Sequence, residues 1–291
     1  MKRLAVLTVC LFLLGTACVF AQNATVTTTQ TTNMHESYTY NAFGVAINGT
    51  QRILTTTTST DEDGNRQVTV TETTNQLEST GGSLKIVSSH LESDSASDDG
   101  ANSHTEGDTV YTYNANGQLA GASGTAHTTG NRGRDANGDD MGTFESDTTE
   151  TYEIRNGQAL RTRSVTTGTN TGIGEDAETS TFTETTTYDY ELIAGSWQIM
   201  SETSHSRSDS RDGSFSDITK VKTYQRNADG ICTGLSQTAT GTQFQANGQN
   251  TDGTLSGTTF TMQNYTATSA WDAKAGWYIS GDNWDWVDND A

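Results

Sequence analysis

The chain of 291 residues contains no proline, only three cysteines and few basic side chains. Missing proline argues against a disordered, proline-rich segment and leaves every backbone N–H available to a sheet ladder. Cys10 and Cys18 fall in an apolar N-terminal stretch, so a chain without that stretch keeps only Cys232 and forms no internal disulfide. Cys232 then reads either as a thiol buried on a strand or as a handle for an intermolecular bond. Sixteen Lys and Arg face 36 Asp and Glu, a formal charge of −20. Phosphate binding needs basic stripes, so nucleic acid is not an expected partner. An acidic surface instead confers solubility and attracts cations. No segment approaches the roughly 18 consecutive apolar residues of a membrane helix, so no transmembrane helix is expected.

The first 21 residues combine a basic start (Lys2, Arg3), an apolar stretch from Leu4 to Leu14 and a small-residue exit. These are the parts of a secretory signal peptide, with cleavage after Ala21 and a mature chain from Gln22; lipidation at Cys18 is the alternative. Loss of Lys2 and Arg3 leaves 14 basic against 36 acidic residues, a charge of −22. The expected address is extracellular, cell-surface or periplasmic.

What the chain has in abundance is threonine, about one residue in five, together with a tyrosine-marked turn that returns about every 37 residues. The copies are Tyr38-Thr-Tyr40-Asn41, Tyr111-Thr-Tyr113-Asn114-Ala-Asn-Gly117, Tyr152-Glu-Ile-Arg-Asn156-Gly157, Tyr188-Asp-Tyr190 before Ala194-Gly195, and Tyr224-Gln-Arg-Asn227-Ala-Asp-Gly230. Each unit reads as a Thr-rich strand, a tight turn, a second strand and a longer acidic loop. Around Thr181–Leu192, Phe182, Thr186, Tyr188, Tyr190 and Leu192 share one face, and Thr181, Thr183, Thr185, Thr187 and Asp189 the other. Asn156-Gly157 and Asp63-Gly64 are two-residue hairpin signals, because a type I′ turn needs positive φ at both central positions.

The pattern predicts an all-β, elongated, antiparallel up-and-down meander of about 12 to 14 long strands over residues 22–268. Sandwich, barrel and partly single-layered sheet are left open, with residues 269–291 as a Trp/Asp-rich tail. Loops are expected at Asp94–Glu106, Gly130–Gly142, Thr169–Thr179, Arg207–Ser216 and Ala246–Gly257. Apolar residues gather near the tight turns, so the core should be thin and lie toward that end. Threonine extends a sheet beyond its core because its branched β-carbon suits the pleat and its hydroxyl tolerates water.

The segment Tyr111-Thr-Tyr-Asn-Ala-Asn-Gly-Gln-Leu119 resembles the YD (Rhs-type) hairpin repeat of bacterial surface and toxin-shell proteins, with Tyr224 to Gly230 a looser copy. The resemblance covers turn motifs only; that family repeats at about half this interval, and Asn114 and Asn227 stand where it has Asp. It implies a hairpin array at or outside the cell surface and carries over no catalytic residue.

Two acidic turns place side-chain oxygens at alternate positions, as calcium loops do: Asp61, Asp63 and Asn65, and Asp135, Asn137 and Asp139. Asp, Asn and Gly are also simply turn residues, and Arg66 and Asp140 occupy the position where an EF-hand requires Gly. Trp271, Trp277, Tyr278, Trp284 and Trp286 cluster at the C-terminus among aspartates, either to stack on sugar rings or to cap the repeat array. His35, His90, His104, His127 and His205 are scattered, and neither a zinc-protease motif nor a nucleophile elbow is present, so no enzyme is expected. The expected function is that of an exported structural or adhesive surface module, with cell-surface glycans, matrix or another copy as partner. Alternatives are a carbohydrate- or calcium-assisted binding module and an outer-membrane barrel.

Overall fold

The computed structural model describes residues 27–60, 66–134, 138–172, 179–249, 254–272 and 276–288, with side chains over most of 29–262. The signal segment and the Asp63-Gly64 turn lie outside the described residues. Fourteen strands follow one another: β1 (Thr27–Tyr40), β2 (Ala46–Thr60), β3 (Arg66–Thr80), β4 (Ser83–Ser97), β5 (Asn102–Tyr113), β6 (Leu119–Asn131), β7 (Thr143–Arg155), β8 (Gln158–Thr171), β9 (Thr179–Ile193), β10 (Ser196–Ser210), β11 (Phe215–Arg226), β12 (Cys232–Gln249), β13 (Leu255–Asp272) and β14 (Gly276–Asp288). They form a single sheet in sequence order, each antiparallel to the next, and β1 and β14 are not paired with each other. Extensive contact is confined to adjacent strands. Of the forms left open by the sequence, the structure is therefore the single-layered sheet, not the barrel or the sandwich.

Two kinds of tight turn occur at one end. Asn41, Asn114 and Asn227 each open a five-residue turn, where the side-chain Oδ1 accepts from the backbone N–H groups two and four residues on, at 2.9–3.1 Å. The amide of the turn glycine closes each on the Asn carbonyl, as at Gly117 to Asn114, 2.9 Å. The other turns have two residues: Gly81-Gly82, Asn156-Gly157 and Ala194-Gly195, all at positive φ. The Gly81-Gly82 hairpin keeps the repeat interval without a tyrosine, so the aromatic marker does not reveal it. A register shift sits within a few residues of most of these turns, at Thr39/Tyr40, Gln76/Leu77, Thr112/Tyr113, Thr151/Tyr152 and Gln225/Arg226. Such bulges increase local twist and re-aim the last side chains of a strand.

Of the expected acidic loops, Asp94–Glu106, Arg207–Ser216 and Ala246–Gly257 are mostly strand. Only residues 98–101 connect β4 to β5, and only 211–214 connect β10 to β11. Serine, aspartate and threonine on both faces of these strands hide the alternation that burial would otherwise print on the sequence. The connection between β6 and β7, residues 132–142, is long as expected.

Register divides the side chains into two faces of different character. Asn75, Ser89, Thr109, Gly124, Glu150, Ser164, Thr186, Ser204, Lys220 and Ala239 are successive partners across β3 to β12 on one face. This lateral row contains most of the buried residues, Thr109 being only 1% exposed. The core is thus a line of small and polar side chains rather than an apolar interior. Cross-strand hydroxyl pairs bridge this face, Thr186–Ser204 at 2.9 Å within the row and Thr105–Thr128 at 2.9 Å and Thr148–Thr166 at 2.8 Å beside it. Aromatic rings cover directly opposed glycines on the same face, Phe144 over Gly130 and Phe182 over Gly168. A ring laid over a glycine recovers the burial that the missing side chain forfeits. The tyrosines gather on this face near the tight turns, where the sequence places the apolar residues.

Candidate functional site

The opposite face is charged, and register brings the scattered histidines onto it. His35, Arg52, Thr74, His90, Asp108, Thr125, Thr149, Val165, Thr185 and His205 are successive partners in one lateral row. His104 lies four residues before Asp108 on β5, and His127 two residues after Thr125 on β6, so strand alternation puts all five on the same face.

The densest part spans β4 to β7. Asp94 is directly opposite His104, and Glu92 directly opposite Glu106, which is itself opposite His127. Asp147 completes that rung across from His127. His104 Nδ1 lies 2.8 Å from Asp94 Oδ1 and its Nε2 3.4 Å from Glu106 Oε1. His127 Nδ1 lies 2.9 Å from Asp147 Oδ1, with Glu145 at 3.7 Å from Nε2. His90 Nδ1 meets Asp108 at 2.9 Å. A second, smaller cluster on β10 and β11 joins His205 to Asp217 at 2.9 Å and Arg207 to Asp209 at 2.5 Å.

These groups are solvent-exposed, and their electrostatics are local. Hydrogen bonds to Asp94 and Glu106 raise the pKa of His104, and the bond to Asp147 raises that of His127. A histidine whose folded pKa is raised contributes stability that is fully present below its unfolded value near 6.5 and is lost as pH rises through the folded value. The melting temperature is accordingly expected to fall slightly as pH rises above about 6.5 and through the raised folded values. Added salt should flatten the slope, and Asp94→Asn with Asp147→Asn should remove most of it, as thermal melts across that range would read.

The arrangement offers imidazole nitrogens and carboxylate oxygens at short spacing on a rigid ladder. One oxygen each from Glu92 and Asp94 and one nitrogen of His104 lie within 4.8 Å of one another. Sequence reasoning missed this grouping because it assigned Asp94–Glu106 to a loop. The available signal was the alternation Glu92-x-Asp94 and His104-x-Glu106-x-Asp108 about Asp98-Asp99-Gly100, where a four-residue connection reflects Asp94 onto His104.

Of the expected calcium ligands, Asp61, Asp63, Asn65, Asp135 and Asn137 lie outside the described residues; Asp139 is exposed in the connection between β6 and β7. Trp271 is on β13 and Trp277, Tyr278, Trp284 and Trp286 are on β14, with Trp271 directly opposite Trp277, so the tail extends the sheet as its last strand. The side chains of these five aromatics lie outside the described residues. Cys232 opens β12, half-buried and free, its Sγ donating to the Gly234 carbonyl at 3.4 Å. Comparison with known proteins finds no matching family model, no matching curated protein and no matching solved structure.

Proposed function

We propose that the chain is an exported, non-enzymatic structural or adhesive module that acts at or outside the cell surface. The observation that carries this reading is the open sheet: both lateral edges, β1 and β14, are without a strand partner among the described residues. An even number of alternating strands makes β1 and β14 antiparallel, so β14 of one copy continues the ladder against β1 of the next without breaking the alternation. Edge strands template pairing of this kind unless charge or proline blunts them. β1 has one acidic residue, Glu36, and neither edge strand has proline or lysine, but β14 carries Asp282, Asp285 and Asp288, so pairing is expected to strengthen with added salt. A head-to-tail contact that does not close on itself builds an open array, the geometry of a surface layer or fibre. Expression with the native leader, followed by fractionation and N-terminal sequencing, tests the address: the chain should leave the cytoplasm and begin at Gln22. An uncleaved chain retained in the cytoplasm would overturn the reading.

A cation-assisted binding module is the second reading, favoured by the histidine and carboxylate groups of β4 to β7. The outer-membrane barrel gains no support from a sheet that is open and charged on one face.

A further inference from the structure

The register imposes an arrangement that is unfavourable by itself. Glu72, Glu92 and Glu106 are directly opposed on three successive strands of the charged face. Like charges directly opposite on neighbouring strands destabilise a sheet. Arg52 answers the first of them, its guanidinium bonding both carboxylate oxygens of Glu72. Glu106 has the Nε2 of His104 at 3.4 Å. Glu92 has neither: among the described residues no cationic side chain forms an ion pair with it. Beside it stand Asp94, two residues along the same strand, and His104, whose Nδ1 faces Asp94 at 2.8 Å.

We infer that Glu92, Asp94 and His104 bind a divalent transition-metal cation of the zinc class. The donor set is one imidazole nitrogen with two carboxylate oxygens, and imidazole with carboxylate suits zinc and its neighbours better than it suits calcium, which takes oxygen ligands. Ligand atoms already within 4.8 Å of one another come to a common ion by side-chain rotation, because the strands fix the backbone spacing. Glu106, opposite Glu92 and next to His104 on β5, stands in the position of an outer partner that orients the imidazole. A bound dication also removes the Glu92–Glu106 repulsion, so the same residues that offer ligands explain why the like charges are tolerated. Solvent-exposed carboxylates leave room for water at the remaining coordination position.

The test is titration of the metal-free full-length mature chain with zinc chloride, by calorimetry, and with cobalt(II), whose visible absorption reports coordination geometry. Saturable binding is expected, with a zinc-dependent rise in melting temperature because the ion binds only the folded sheet. His104→Gln and Glu92→Gln should each weaken zinc binding by more than about tenfold, the scale on which even outer-shell partners act. His205→Gln, in the separate cluster on β10 and β11, should leave it unchanged. Circular dichroism of each variant verifies that the sheet is intact. Absence of saturable zinc binding, binding untouched by His104→Gln, or calcium binding as tightly as zinc would each overturn the assignment.

Discussion

Arg161→Met is expected to destabilise the sheet by about 3 kcal/mol, because it strands a buried carboxylate. The Glu150 side chain is 2% exposed and sits opposite Gly124, whose missing side chain makes the space: a Cβ there would lie 2.9 Å from Glu150 Oε2. Arg161 Nη1 donates to Oε1 at 2.5 Å, and the Tyr152 hydroxyl to Oε2 at 2.5 Å. The guanidinium lies 4.6 Å from the Tyr188 ring centre, and the Arg161 carbonyl accepts from the Tyr190 hydroxyl at 2.8 Å. Burial pushes the Tyr111 and Tyr190 phenols up to about 12; burial and then the bond to Glu150 raise Tyr152 as well, so these hydroxyls stay protonated. Removing the arginine leaves Glu150 with one donor in a site closed to water. Neutralising the carboxylate in the same chain, Arg161→Met with Glu150→Gln, should recover part of the loss, since partners in one network do not act additively. Urea midpoints of the two variants decide it. A single-variant loss below about 1 kcal/mol, or strict additivity, would contradict the network.

Gly81→Ala and Gly82→Ala should differ sharply although the residues are neighbours in one turn. Both have positive φ, +60 and +80, so an L side chain costs about 1–2 kcal/mol at either. At Gly82 that strain is the whole effect, because nothing lies within 4 Å of a Cβ there. At Gly81 the Cβ would come within 2.7 Å of the Asn116 carbonyl and of the Gly117 Cα. Those are backbone atoms of the turn that joins β5 to β6, so neither can swing aside. The added overpacking is about 1–3 kcal/mol. Denaturant unfolding of the two variants reads the difference directly, and equal losses would mean that the two turns do not touch.

The meander itself was legible because its determinants are local. Gly and Asn at positive φ fix the hairpins, and Tyr188, Tyr190 and Leu192 alternate with threonines clearly enough to assign a face. The tyrosine marker failed at Gly81-Gly82, where the turn chemistry is glycine alone. Polar strands are missed too: Asp94 to Ser97 and Asn102 to Glu106 read as loop because neither face is apolar. The candidate site was illegible for a different reason. His104 and Asp94 are ten residues apart, His127 and Asp147 twenty, and only register reveals that each pair is directly opposed on one face. Sheet position is a long-range property that residue spacing does not encode once loop lengths are misjudged.

In the proposed function, the two edges of the open sheet join copies. Sedimentation velocity of the mature chain at about 0.15 M salt, over a concentration series and with reductant so that Cys232 makes no disulfide, addresses it most directly. Species larger than the monomer that grow with concentration are expected, as edge-to-edge addition requires. A single monomer-sized boundary at every concentration would contradict it.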